Sequence, residues 1–210
     1  MSSNRPDYKT AKPLEHYGAA YRKLDPVEIS GRCGLVFNPA RQAFEIRILG
    51  AEYSALYPEF ALLDSAGNAA ANPCEQILLL RYLCEGKYFP PQGKRIAYNE
   101  IPWGGVYYKN FEGRCLKRLA FTFGKNIPAF KKIIGANTRL RAEPLDSGDA
   151  AYRLEFINGL YVTVILWGAD DEFPPSAQLL FDDNFIFAFT AEDAAVAGEI
   201  LVERLKVLAV

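Results

Sequence analysis

The sequence predicts an α+β protein, a largely antiparallel sheet with packed helices around a single core, and three observations predict it. Helical and extended patterns come in blocks instead of strict alternation. The hydrophobic period changes to two from about Arg139 onward. The C-terminal extended runs are joined by short turns, among them Asn158-Gly159, the strongest two-residue hairpin signal.

The elements follow in chain order. Asp7 to Arg22 reads as an amphipathic helix broken or bent near Pro13. Pro26–Arg32 is a short helix with Asp25 at its N-cap and Pro26 at its first position. Gly34–Phe37 and Ala43–Leu49 make a hairpin about Asn38-Pro39. Glu52–Leu63 continues the extended pattern past Pro58 and closes at Gly67-Asn68. Asn72, Pro73 and Glu75 open the clearest helix as a capping box. Its body, Ile77–Cys84, is apolar on nearly every face, which marks a central buried helix ended by Gly86.

Arg95–Tyr98 is a short strand, followed by Ile101-Pro102-Trp103-Gly104-Gly105 and a helix from about Val106 to Phe123. Its predicted buried stripe is Tyr107, Phe111, Cys115, Leu119 and Phe123. A shorter helix spans Ile127–Ile134. Strands follow at about Arg139–Pro144, Ala151–Ile157, Leu160–Trp167 and Ala177–Phe181. The last helix, Ala191–Leu208, opens on Thr190 and Asp193 and carries the stripe Ala194, Ala197, Leu201, Leu205 and Leu208. We read residues 1–210 as one domain, with a helical segment over 1–32 and a mixed core over 33–210.

Composition excludes several classes. The chain has 210 residues, 50% of them hydrophobic and 23% charged. A chain of this size buries about 70% of its unfolded surface, enough for a core without disulfide or metal. With 24 basic against 25 acidic side chains the net charge is -1, so no nucleic acid is expected as a partner. Met1 to Lys12 does not read as a signal peptide. The apolar runs Ile77–Leu80 and Tyr161–Trp167 are too short to span a bilayer, so no membrane association is expected and the cytoplasm is the expected compartment. Cys33, Cys74, Cys84 and Cys115 contain no C-x-x-C pair and read as buried free thiols.

Charge is uneven along the chain. Nine cations lie between Lys109 and Arg141 against Glu112 alone. Between Ala142 and Glu199 stand twelve acids and one base, Arg153. The two segments either pack together and neutralise each other, solvate their own faces, or present a basic helical face to an anionic ligand or a protein partner.

Two groups of residues carry the functional expectations. Trp103, Gly104, Gly105, Tyr107 and Tyr108 form a candidate ligand-binding turn: glycines admit close backbone approach, helix amides favour anions, and the rings stack on planar groups. Asp170, Asp171, Glu172 and Asp182 are candidate metal ligands, since carboxylates on loops at strand ends suit hard cations. Asp170-Asp171-Glu172 lacks the spacing and turn glycine of a calcium loop, and a simple hairpin would set Asp170 and Asp182 at opposite ends. Asp182 or Asp183 then serves to cap a short turn around Phe185. His16, the single histidine, leaves no room for a multi-histidine site, and no phosphate-loop or nucleophile-elbow motif is present.

Residues Leu166–Ser176 (LWGADDEFPPS), Leu180-Phe181-Asp182 and Thr190-Ala191-Glu192-Asp193 resemble the signature of DUF3786, a family of uncharacterised proteins of anaerobic bacteria and archaea. The apolar helix, the Ile-Pro-Trp-Gly-Gly turn and the aromatic helix fit as well. The resemblance implies a link to corrinoid or one-carbon metabolism, where some relatives carry a four-cysteine iron–sulfur module that this chain lacks. The cofactor stays unassigned. The expected function is a binding or accessory protein with a small-molecule ligand or protein partner, acting through the Trp103–Tyr108 loop and the Asp170–Pro175 segment. The alternative is a carboxylate- or metal-dependent enzyme using Asp170-Asp171-Glu172 and Asp182-Asp183.

Overall fold

The computed structural model describes residues 8–70 and 72–209. They group into two compact units, one holding residues up to Ile46 and Glu52–Tyr88, the other Arg47–Ala51 and Phe89 onward. Helices and antiparallel strands make up both, the α+β class that the block pattern predicts.

The first unit is built from α1 (Tyr8–Tyr21), α2 (Pro26–Cys33), β1 (Val36–Asn38), β2 (Ala43–Ile48), β3 (Ala51–Leu56), β4 (Leu62–Asp64) and α3 (Pro73–Glu85). Asp7, the expected start of the first helix, lies outside the described residues. α1 runs through Pro13 without the expected break. Asp25 Oδ1 accepts the Val27 amide at 2.8 Å and opens α2, and Gly34 closes it at φ 63. Asn38 turns the first hairpin by accepting the amides of Ala40 and Arg41 through its side chain. β1 then pairs with β2, Val36 opposite Glu45, and β3 with β4, Tyr53 opposite Asp64.

Asn72 caps α3 through the Cys74 amide, one residue earlier than the predicted capping box requires. Leu78, Leu79, Leu80, Tyr82 and Leu83 are buried, as the all-round apolar pattern predicts. Arg32 donates to the carbonyls of Leu83 and Gly86, satisfying the C-terminal acceptors that a helix leaves open. Tyr21 packs edge-on against Tyr57 and Phe60. Cys33 is buried beside the Tyr82 carbonyl, and burial pushes its thiol up to about 11. Cys74 is exposed, contrary to expectation, because it stands in the first turn of α3 beside the cap.

The second unit holds β5 (Arg95–Ala97), a 3-10 turn at Tyr98–Glu100, α4 (Gly104–Phe111), a π turn at Glu112–Leu116, α5 (Lys117–Phe123) and α6 (Ile127–Ala136). It continues with β6 (Glu143–Leu145), β7 (Ala150–Ile157), β8 (Leu160–Trp167), β9 (Ser176–Asp182), α7 (Phe185–Ala188) and α8 (Ala191–Val207). The strands run in the order β7-β8-β9-β5, with β6 on β7 and the end of β2 joined to β7 through Ile48 and Ile157. The Asn158-Gly159 hairpin forms as predicted, with Gly159 at φ 75. Phe181, Leu179 and Tyr152 face the helices, meeting Phe111, the Gly198 backbone of α8 and Phe130 respectively.

The helical run from Gly104 to Phe123 explains its own sequence spacing. A four-residue repeat drifts about 40° per step on a helix of 3.6 residues per turn. The wider π turn absorbs an extra residue, so Phe111, Cys115, Leu119 and Phe123 all stay buried. Tyr107, one step earlier, lies before that correction and is 43% exposed. Two other expectations are corrected. Arg139–Leu140 belong to a 3-10 turn, and the strand begins only at Glu143. Leu208 lies beyond the end of α8 and out of its buried stripe. Thr190 and Asp193 do form a reciprocal capping box. Among the described residues no helix is long and apolar enough to cross a membrane.

Candidate functional site

The Trp103 turn is built by three successive backbone hydrogen bonds. Ile101 N–H donates to the Tyr98 carbonyl at 3.2 Å, Gly104 to Ile101 at 2.7 Å and Val106 to Trp103 at 3.1 Å. Tyr98 holds this turn to the core: its ring stacks on Phe111 at 3.9 Å and its hydroxyl donates to the Ala191 carbonyl at 2.8 Å. Gly104 presses so closely on Tyr98 that a Cβ there would stand 1.9 Å from the Tyr98 oxygen. Trp103, just before Gly104, stands in the left-handed region at φ 69, a conformation that a bulky residue adopts only when its surroundings enforce it.

The consequence is an aromatic side chain held outward. Trp103 is 78% exposed and Val106 74% exposed. Tyr107 is exposed as well, so Trp103 at the N-cap and Val106 and Tyr107 in the first turn are all solvent-accessible. Tyr108 is exposed too, its ring 6.5 Å from Phe111. The two glycines separate in role. Gly104 uses its missing side chain against Tyr98, inside the protein. Gly105 faces open space.

The acidic residues are not brought together. β8 and β9 form a simple hairpin, with Trp167 opposite Ser176 at the end that carries Asp170, Asp171 and Glu172. Asp182 ends β9 six residues further, about 20 Å away at strand rise. Asp170 accepts the amides of Glu172 and Phe173 and shapes its own loop. Asp183 accepts the amides of Gln92 and Lys94, so neither Asp182 nor Asp183 caps α7, whose N-cap is Asn184. Among the described residues no group of three or more His, Cys, Asp or Glu is placed to hold a metal ion. Asp170, Asp171 and Glu172 are thus not gathered with Asp182 at one place. The acidic loop is also remote from the Trp103 turn: Pro175 packs on Gly124, at the far end of a twenty-residue helical run about 30 Å long.

Asp182 instead belongs to a cluster that the sequence reading missed. On the sheet face away from the helices, Arg153 reaches across β8 and donates to Asp182 through Nε and, at 2.6 Å, through Nη2. Its Nη1 donates to Glu143 at 3.0 Å, and its guanidinium lies 3.6 Å from the Tyr161 ring centroid. Burial opposes the Arg153 charge, but the hydrogen bonds to Asp182 and Glu143 prevail and hold it protonated. The signal was present in the sequence as the lone base among twelve acids.

A second pair lies on the same face. Arg47 makes a two-pronged contact with Glu155 at 2.6 and 2.8 Å, the Gly159 amide adds a third hydrogen bond at 3.0 Å, and Arg141 stands 3.7 Å away. Burial alone would raise the Glu155 pKa; these partners outweigh it and hold it below the ordinary value. A depressed folded pKa contributes stability that is complete above the unfolded value, about 4.3, and is lost as pH falls through the folded value. Stability curves of the wild type and of Glu155→Gln are therefore expected to converge in acid and separate toward neutrality. Parallel curves would show that Glu155 is not the group responsible.

The basic and acidic segments do meet. Arg114 and Arg118 of the helical run pair with Glu199 of α8, and Arg118 also with Glu203. His16 sits on α1 edge-on to Tyr17. The first unit also has an open groove of about 590 Å³ beside α1 and α3, lined in part by Leu14, Ala19, Phe60 and Leu80, with Arg22 and Glu59 paired at its rim.

The family model for a domain of unknown function, DUF3786, matches residues 25–204. The Trp103 turn, the Arg153 cluster and the acidic loop all fall within that stretch, whereas α1 precedes it. No curated protein and no solved structure matches the chain.

Proposed function

The chain belongs to the DUF3786 family, and from that membership and the geometry of the Trp103 turn we propose that it is a cytoplasmic binding or accessory protein. It captures a planar or apolar ligand on Trp103, Val106 and Tyr107. The observation that carries this reading is Trp103 itself, 78% exposed yet at φ 69 beside the close Gly104–Tyr98 contact. A left-handed bulky residue costs of order 1–3 kcal/mol, and such strain clusters at ligand-binding positions. On this reading the indole is ordered before a partner arrives, so little conformational entropy is lost when it stacks.

Corrinoids are the first ligands to test, because the family resemblance implies corrinoid or one-carbon metabolism of anaerobes. The chain should be screened by thermal shift and tryptophan emission against corrinoids and nucleotides. A hit is expected to weaken about tenfold or more in Trp103→Ala, a factor worth about 1.4 kcal/mol. The unliganded melting temperature should hardly move, since the side chain is exposed. Hits that bind Trp103→Ala unchanged would remove the turn from the site.

A further inference from the structure

The corner where α5 gives way to α6 exposes Phe121, the β8–β9 loop fastened there exposes Phe173, and the two segments carry charges of opposite sign. Phe121 is 77% exposed and Phe173 is 65% exposed. Lys125 Nζ lies 5.8 Å from the centre of the Phe121 ring. Lys131 and Lys132 are on the outer side of α6, whose buried residues are Phe130 and Ile134. The acidic loop is fastened to the same corner. Ala169 N–H donates to the Gly124 carbonyl at 3.2 Å, and Pro175 approaches Gly124 so closely that a Cβ there would stand 2.3 Å from it. Asp170 is engaged by its own loop amides, which leaves Asp171 and Glu172 as the exposed carboxylates.

These charges are not used internally. Of the nine cations between Lys109 and Arg141, four meet carboxylates: Arg114, Lys117, Arg118 and Arg141. Lys125, Lys131 and Lys132 form no ion pair among the described residues, nor do Asp171 and Glu172. A purely anionic partner laid across this corner would meet Asp171 and Glu172, and a purely cationic one would meet the lysines. A surface carrying both signs side by side is complementary to itself under a two-fold rotation, the symmetry that most soluble homo-oligomers use.

We propose that this corner is a two-fold interface between two copies of the chain. The Asp171-Glu172 loop of each copy lies on Lys125, Lys131 and Lys132 of the other, and Phe121 and Phe173 pack between them. The interface is separate from the Trp103 turn, which stands at the opposite end of the helical run.

Sedimentation of the full chain over a concentration series is the test, with two double variants, Lys131→Glu with Lys132→Glu and Asp171→Lys with Glu172→Lys. The wild type should dimerise, less tightly as salt is raised, and each double variant should weaken the dimer at least about tenfold, a factor of about 1.4 kcal/mol. An equimolar mixture of the two variants should restore it as a heterodimer, since both loop-to-lysine contacts are then of opposite sign again. That restoration cannot arise from misfolding. A wild type that stays monomeric throughout, a dimer that neither double variant weakens, or a mixture that stays monomeric would each overturn the proposal.

Discussion

Replacing Arg153 with alanine is expected to destabilise the second unit by about 3–5 kcal/mol, the range for removing one member of a buried ion pair. Asp182 is 3% exposed, and Arg153 supplies its cation through Nε, which reaches both carboxylate oxygens, and through Nη2. Without that guanidinium the carboxylate stays in the sheet face with its desolvation uncompensated. Part of the loss is packing, because the Arg153 stem and fork also cover Tyr161 and the buried Thr163 opposite it on β8. Arg153→Lys should recover only a fraction, since an ammonium lacks the planar fork that meets Asp182 and Tyr161 together. Urea unfolding monitored at constant m-value measures both. A cost under about 1 kcal/mol, the level of an exposed pair, would show that the cluster is solvated and contributes little.

Gly104→Ala is the second large effect, expected at about 3 kcal/mol, at or above the upper end for forced overpacking. The added methyl would overlap the Tyr98 carbonyl, and Tyr98 cannot retreat because it is stacked on Phe111 and bonded to Ala191. The adjacent Gly105→Ala is the control. Its Cβ would meet nothing within 4 Å, so in a helical first turn it should be neutral or stabilising by up to about 1 kcal/mol. Melting curves of the two variants separate a steric origin from a general intolerance of this loop. Equal losses in both would sink the assignment of Gly104 to the Tyr98 contact.

Much of the architecture was legible because local chemistry determines it. Asp25, Asn72 and Thr190 name helix starts through their own side-chain oxygens, and Asn158-Gly159 names a hairpin because Gly159 readily supplies the positive φ of the turn. The period-four stripe on the aromatic helix was read correctly from Phe111 to Phe123. It failed at Tyr107 because a π turn, which leaves no mark in composition, shifts the phase between the two ends. The role of Gly104 was invisible for a different reason: the carbonyl it accommodates belongs to a residue whose position only the tertiary packing sets. Asp182 was legible as a carboxylate at a strand end, but its partner sits two strands away in space and twenty-nine residues away in sequence. Pairing across a sheet depends on register, which a single strand's pattern does not contain.

The binding proposal stands on Trp103 being ordered before any ligand arrives, and the time-resolved emission anisotropy of a Trp167→Phe chain measures that directly. With Trp103 as the sole emitter, the decay is expected to follow the tumbling of the folded protein, with little amplitude in a fast local component. A dominant subnanosecond component would mean that the indole swings freely, and the turn would then offer no preformed surface on which a ligand can stack.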